Sequence, residues 1–160
     1  MREALFSAIE SWCGSLAGLR FLDLYAGSGA VGLEAWSRGA GVVTLVEQDR
    51  RTAAMIRSNA RYLGFGRADV VTGSVAGTLT RSPAAPYDVA FLDPPYALIE
   101  SDVESDLAAL RDYEWLVPGA MVVVERGSRG PEPKWPDGFT FSREKKYGET
   151  VLWYVHAAHS

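Results

Sequence analysis

The chain has little of what builds disulfides or metal sites. It holds one cysteine, Cys13, and two histidines, both within the last five of its 160 residues. A lone thiol excludes an internal disulfide framework and fits a reducing, cytoplasmic compartment. With two late histidines it makes no ordinary zinc site, so no metal is expected. No apolar run approaches the roughly 20 residues of a membrane span. The opening "MREALFSAIESW" reads as an amphipathic helix, unlike the basic then greasy start of a secretory leader. Internal repeats and low-complexity stretches are absent. Bases are outnumbered, 16 Lys and Arg against 20 Asp and Glu, so bulk attraction to nucleic acid is not expected.

What remains is an ordinary globular composition, 48% hydrophobic and 22% charged, at the size of one domain. The charge is uneven. Acids dominate from Leu98 to Glu125 and bases from Arg126 to Tyr147, while Arg50, Arg51, Arg57, Arg61 and Arg67 punctuate an earlier stretch. Each cluster reads equally as a local basic patch or as a solvated helix face.

Apolar runs alternate with helical periods along the chain. The pattern predicts strands at 19–25, 41–47, 68–73, 87–93 and 120–126. Helices are predicted after Gly29, over 48–63 and around 102–110. Strands this uniformly apolar, separated by helices, imply a parallel sheet covered on both faces. The end differs: "FTFSREKKYGETVLWYVHA" alternates on both sides of Tyr147-Gly148 with no helix between, which predicts a β-hairpin with an antiparallel neighbour. The Pro- and Gly-rich "GSRGPEPKWPDG" ahead of it reads as a surface loop.

Two motifs carry chemistry. Gly27-Ser28-Gly29-Ala30-Val31-Gly32 completes a G-x-G-x-x-G between strand and helix, and Glu47 ends the next strand. Glycines let the backbone turn sharply and approach a ligand, the helix start attracts an anion, and a strand-end acid accepts ribose hydroxyls. The spacing predicts a nucleoside-bearing cofactor without saying which. Asp23, just ahead of the loop, suits the ammonium of S-adenosylmethionine better than the pyrophosphate of NAD; an acid that merely caps the turn is the bland alternative.

The second motif is "YDVAFLDPPY", a strand ending in Asp93-Pro94-Pro95-Tyr96. In open α/β sheets, ligands sit outside the carboxyl ends of strands. The exocyclic amine of a nucleobase is a poor nucleophile because its lone pair is delocalised into the ring. The Asp93 carboxylate and the Pro94 carbonyl can each accept one of its N–H groups and leave the lone pair aimed at a methyl donor. The two prolines fix the backbone, so the acceptors are placed beforehand. Tyr96 offers a flat face for the base. A proline-bounded loop with a capping Asp and a core Tyr is the bland alternative.

Taken in order, "REALFSAI", "FLDLYAGSGAVGLEAWSRGA", "LVEQDR", "NARYLG", "YDVAFLDPPY" and "REKKYGETVLWYV" resemble the class I S-adenosylmethionine-dependent methyltransferases. More narrowly, the chain resembles the bacterial family that methylates guanine N2 in 16S ribosomal RNA. The resemblance implies one domain over residues 1–160 with a Rossmann-like methyltransferase fold. It implies a seven-stranded, mostly parallel sheet ending in an antiparallel hairpin, with helices on both faces. It implies S-adenosyl-L-methionine held by Asp23, Ala26, Gly27, Ser28, Gly29, Glu47, Gln48, Ser74 and Val75, and the target amine held by Asp93, Pro94, Pro95 and Tyr96. It also implies a cytoplasmic monomer whose partner is 16S rRNA or a small-subunit assembly intermediate.

Two departures from the family pattern stand out. The basic segment that usually precedes "REALF" is absent, and Ser74 stands where an Asp often lies near the adenine. The competing readings are an adenine-N6 or cytosine-N4 amino-methyltransferase, and an NAD(P) oxidoreductase. Against the last, no tyrosine starts a Tyr-x-x-x-Lys pair.

Overall fold

A computed structural model describes residues 2–66 and 68–159; Arg67 of the scattered arginines lies outside them. The chain runs α1 (Arg2–Cys13), β1 (Arg20–Leu24), α2 (Ala30–Ser37), β2 (Val42–Glu47), α3 (Arg50–Tyr62), β3 (Asp69–Thr72), α4 (Val75–Leu79), β4 (Tyr87–Leu92), α5 (Glu100–Asp112), β5 (Leu116–Gly127), β6 (Phe139–Tyr147) and β7 (Thr150–Ala157). The seven strands form one sheet in the order β3-β2-β1-β4-β5-β7-β6. β1 pairs in parallel with β2 and β4, as does β4 with β5, and β7 runs antiparallel to both β5 and β6. The expected α/β sheet with a terminal antiparallel hairpin is therefore present.

Alternation along the strands splits the core into two layers. On one face Phe21, Leu45, Phe91 and Val123 pack with Phe6 and Ile9 of α1, Ala35 of α2 and Ile56 of α3. On the other, Leu22, Val46, Leu92 and Val124 pack with Leu79 of α4 and Leu107 of α5. β5 carries Val122, Val123 and Val124 with no exposed surface, and fully burying each stabilises the fold by ~1.5–3 kcal/mol. Among the described residues, no helix is long and apolar enough to cross a membrane.

Three elements differ from the sequence-based expectation. α4 went unpredicted because five residues are too few to display a helical period; it is marked only by its cap, where the Ser74 hydroxyl accepts from Gly77 N at 3.0 Å. α5 begins at Glu100, two residues early, on an Ile99 cap that no side-chain signal announces. β5 begins at Leu116, ahead of Ala120, because a register shift on β4 between Tyr87 and Val89 accommodates Pro118-Gly119. β6 is the edge strand, and from Thr140 to Lys146 every residue is exposed. Its Arg143, Lys145 and Lys146 blunt the free edge against pairing with other chains.

Candidate active site

The carboxyl ends of β2, β1, β4 and β5 lie side by side, and each ends in or beside an acid. Val46, Leu22, Leu24, Leu92 and Val124 face the α4–α5 layer. Their neighbours Glu47, Asp23, Asp93 and Glu125 therefore project to the opposite face, towards α1–α3. Strand order lays them out as one acidic row. The register Ala90–Val122, Phe91–Val123, Leu92–Val124, carried one residue further, sets Asp93 beside Glu125.

The acids of β1 and β2 are engaged by the glycine loop. Asp23 is 1% exposed, and its Oδ2 accepts from Gly32 N at 2.9 Å. Burial raises its pKa well above the usual range, with the Asp93 and Glu47 charges adding to the rise and the Gly32 bond opposing it. Glu47 Oε1 accepts from Gly27 N at 2.9 Å and Oε2 from Asp49 N at 2.8 Å. Gly27 and Gly29 take φ of 57° and 81°, which side-chain-bearing residues rarely adopt. Gly32 is required by contact: a Cβ there would sit 2.6 Å from Leu45 Cδ2 and 3.1 Å from the Asp23 carboxylate.

The acids of β4 and β5 stand free of such partners. Asp93 is exposed to the cleft, and desolvation by the surrounding walls pushes its carboxyl up against the opposing pull of the Arg126 charge. Glu125 rises to about 7, first from burial and then from the Asp93 charge. No described residue donates a hydrogen bond to either carboxylate, whereas Arg126 is spent on backbone carbonyls beyond Asp93 and on the Glu100 carboxylate. Its guanidinium donates to Leu98 O at 3.0 Å and Glu100 Oε1 at 2.9 Å, and reaches Pro94 O at 3.5 Å. It thereby ties β5 to the whole 93–100 loop. Tyr96 is 83% exposed and lies over Gly127, where a Cβ would be 3.2 Å from its ring.

Between these two groups opens a cleft of about 1010 Å³. Gly27, Glu47, Gln48, Val75, Asp93, Pro94, Pro95 and Tyr96 line it, so both motifs foreseen from sequence meet in one place. Asp23, Ala26, Ser28, Gly29 and Ser74 lie behind or beside the wall. Asp23 is sealed under the loop, Gly29 packs on Ile56, and the Ser74 hydroxyl is committed to capping α4. Ala26 N donates to Val46 O at 2.9 Å, and Ser28 Oγ accepts from Ala30 N at 3.4 Å.

Residues 1–156 match the family described as "Conserved hypothetical protein 95". The chain is 33% identical over 152 residues to the ribosomal RNA small subunit methyltransferase D of Escherichia coli K12, covering 94% of this chain and 73% of that one. It belongs to this methyltransferase family. The solved structure of yhhF from Escherichia coli superposes with a TM-score of 0.90 at 31% identity, over 99% of this chain and 86% of that one. At 14% identity, the fold alone is shared with the magnesium protoporphyrin IX methyltransferase of Synechocystis, whose structure holds S-adenosylmethionine (TM-score 0.72, 98% of this chain and 79% of that one). The architecture is thus that of the S-adenosylmethionine-dependent methyltransferases.

Within this methyltransferase cleft, sequence reasoning missed Tyr25, Arg126 and Glu125. Tyr25 lines the cleft at φ 60°, a costly conformation for a bulky residue, and its hydroxyl donates to Asp106 Oδ2 of α5. Asp106 is 4% exposed, and burial pushes its carboxyl up to about 6. The pair ties the glycine loop to the helix that follows Asp-Pro-Pro-Tyr. Glu125 carried a readable signal, because it closes the apolar run of its strand as Glu47 and Asp93 close theirs. Tyr25 and Arg126 carried none.

Proposed function

We propose that the chain transfers a methyl group from S-adenosyl-L-methionine to the exocyclic N2 of a guanine in small-subunit ribosomal RNA. The reading rests on one observation: Asp93 opens onto a cleft whose far wall is the glycine loop, with the Pro94 carbonyl held beside it. A family shared with ribosomal RNA small subunit methyltransferase D supports the substrate class.

The lining suits the cofactor by its chemistry. Glu47 would meet hydroxyls, Asp93 lies where positive charge develops, and Val75 offers apolar contact to a ring. Glu47, with Gln48 beside it, would take the ribose hydroxyls on lone pairs left over from Gly27 and Asp49. Gly27 leaves open space above the loop, since a Cβ there would meet nothing within 4 Å. Asp23 would act by shaping the loop through Gly32. The cofactor, when bound, supplies an electrophilic methyl on a sulfonium.

The remaining work falls to the residues of the 93–96 loop. Asp93 and the Pro94 carbonyl accept the two N–H groups of the target amine and orient its lone pair. Pro94 and Pro95 remove the backbone freedom that would blur this placement. The Asp93 carboxylate stabilises the positive charge developing on nitrogen and can take its proton once transfer is complete; its raised proton affinity favours that. Tyr96 stacks on the base. A guanine paired in a helix cannot present N2 in this way, so the target is an unpaired or extruded nucleotide. The RNA partner would be 16S rRNA or a small-subunit assembly intermediate, engaged by a single copy of the chain.

Tritiated methyl incorporation into small subunits lacking the modification, into naked rRNA and into DNA tests the reading. Label in N2-methylguanine of the RNA is expected. Label confined to adenine N6, cytosine N4 or DNA would overturn it.

A further inference from the structure

Asp93 and Pro94 account for the two hydrogens of an amine but not for the choice of base. Adenine, cytosine and guanine all carry an exocyclic amine, and a gripped NH2 group looks alike on each. What distinguishes them is the ring atom beside it. Next to N2, guanine presents N1–H, a donor. Next to their amines, adenine N1 and cytosine N3 are bare acceptors.

Glu125 stands where that atom would fall. It occupies the β5 position beside Asp93, on the same face of the sheet, and lines the same cleft. Adjacent strands lie ~4.8 Å apart, which lets two neighbouring carboxylates converge on neighbouring atoms of one ring edge. Gly127, two residues on and on that same face, seats the Tyr96 ring, and a Cβ there would press to 3.2 Å of it. A base stacked on Tyr96 is therefore flanked by Asp93 on one strand and Glu125 on the next. The electrostatic influence of Asp93 on Glu125 attests their closeness. The Arg126 guanidinium is turned to Leu98, Glu100 and Pro94, so it does not take up the Glu125 carboxylate.

We infer that Glu125 is the residue that selects guanine, by accepting the N1–H of the target base while Asp93 and Pro94 hold its N2 amine. The inference rests on the guanine-N2 reading above and adds to it the means of discrimination. In its ionised form Glu125 completes, with Asp93 and the Pro94 carbonyl, an edge made of acceptors alone. Guanine answers with consecutive donors. Adenine or cytosine in the same place would set a ring lone pair against the Glu125 carboxylate.

The test uses 2-aminopurine, which keeps the 2-amine of guanine but has an acceptor at N1. The intact chain, saturated with S-adenosylhomocysteine, is titrated with two 12-residue uridine oligomers, one carrying a central guanine and one a central 2-aminopurine. Uridine has no exocyclic amine and stays silent. Wild-type protein is expected to prefer the guanine oligomer by about 10- to 100-fold, the range one good base-edge contact provides. In Glu125→Ala the preference should shrink to within about threefold, because the group that reads N1 is gone. Glu125→Gln keeps the shape and adds a donor, so it should bind the 2-aminopurine oligomer better than wild type does. Equal wild-type affinity for the two oligomers overturns the inference, and so does a preference that both variants retain. Failure of the guanine-N2 reading looks different: methyl transfer by wild type to an adenine or cytosine oligomer and none to guanine.

Discussion

The two halves of the strand-end row use the same residue type for opposite purposes. On β1 and β2, Asp23 and Glu47 spend their oxygens on backbone N–H groups at 2.8–2.9 Å and so build the glycine loop. On β4 and β5, Asp93 and Glu125 receive no hydrogen bond from a described residue and face the cleft. An acid satisfied by backbone is architecture, because leaving its donor unpaired in the interior costs about 1–3 kcal/mol. An acid kept unpaired at an opening carries its unmet hydrogen-bonding capacity to whatever enters. The difference is enforced by neighbours: the first pair sits under a tight turn of glycines, and the second sits beside prolines, which lack N–H groups to offer.

The contrast can be broken most severely at Asp93. Asp93→Ala is expected to lower methyl transfer by ~10²–10³-fold, the loss typical of removing one preorganised stabiliser. Binding of S-adenosylhomocysteine by calorimetry should change by less than about threefold. Normal turnover would abolish the distinction between the two halves.

The next effect concerns Asp106, the buried acid behind Tyr25. Its folded pKa of about 6 lies above the unfolded value near 4, so the folded state holds the proton more tightly. Its contribution to stability is fully present below about pH 4 and is lost as pH rises through about 6. Asp106→Asn keeps an acceptor for the Tyr25 hydroxyl and removes the titration. Urea unfolding at pH 4 and pH 7 should show the variant losing about 2 kcal/mol less than wild type over that interval. Equal pH dependence would show that Asp106 titrates as an ordinary surface acid.

A smaller change is expected at Asp23. Asp23→Asn weakens the bond to Gly32 N and should cost about 1–2 kcal/mol in urea unfolding. S-adenosylhomocysteine affinity should fall with it, since the loop is what suffers. If transfer collapsed as in Asp93→Ala while stability held, Asp23 would belong to the reacting half. The mildest variant is Tyr96→Phe. Stacking needs a ring and no hydroxyl, so KM for RNA should move less than about twofold, whereas Tyr96→Ala should forfeit the ~1–3 kcal/mol of a stacked base.

Both halves were legible in the sequence as motifs, and for the same reason. The glycine loop and Asp-Pro-Pro-Tyr are contiguous, and each follows an apolar run whose end marks the strand terminus. Hydrophobic periodicity likewise exposed the strands and the hairpin. The division of labour between Asp23 and Asp93 was not legible. It depends on which carboxylate folds under the turn, a matter of three dimensions. Tyr25 with Asp106, and Arg126 with Pro94 and Leu98, join residues dozens of positions apart, so no local pattern foretold them. Ser74, which the resemblance placed near the cofactor, also caps a helix too short to detect, and no local pattern announced that second task.

The interleaving of the terminal hairpin bears on how the molecule is made. β7 lies between β5 and β6 although it is synthesised after both. A nascent chain that has emerged only as far as β6 has no neighbour for that strand, and β5 keeps a bare hydrophobic edge. Thr150, part of the cleft wall, belongs to the same late strand. The cleft wall is therefore complete only once β7 has paired with β5, and a chain halted at β6 would keep the β5 edge bare.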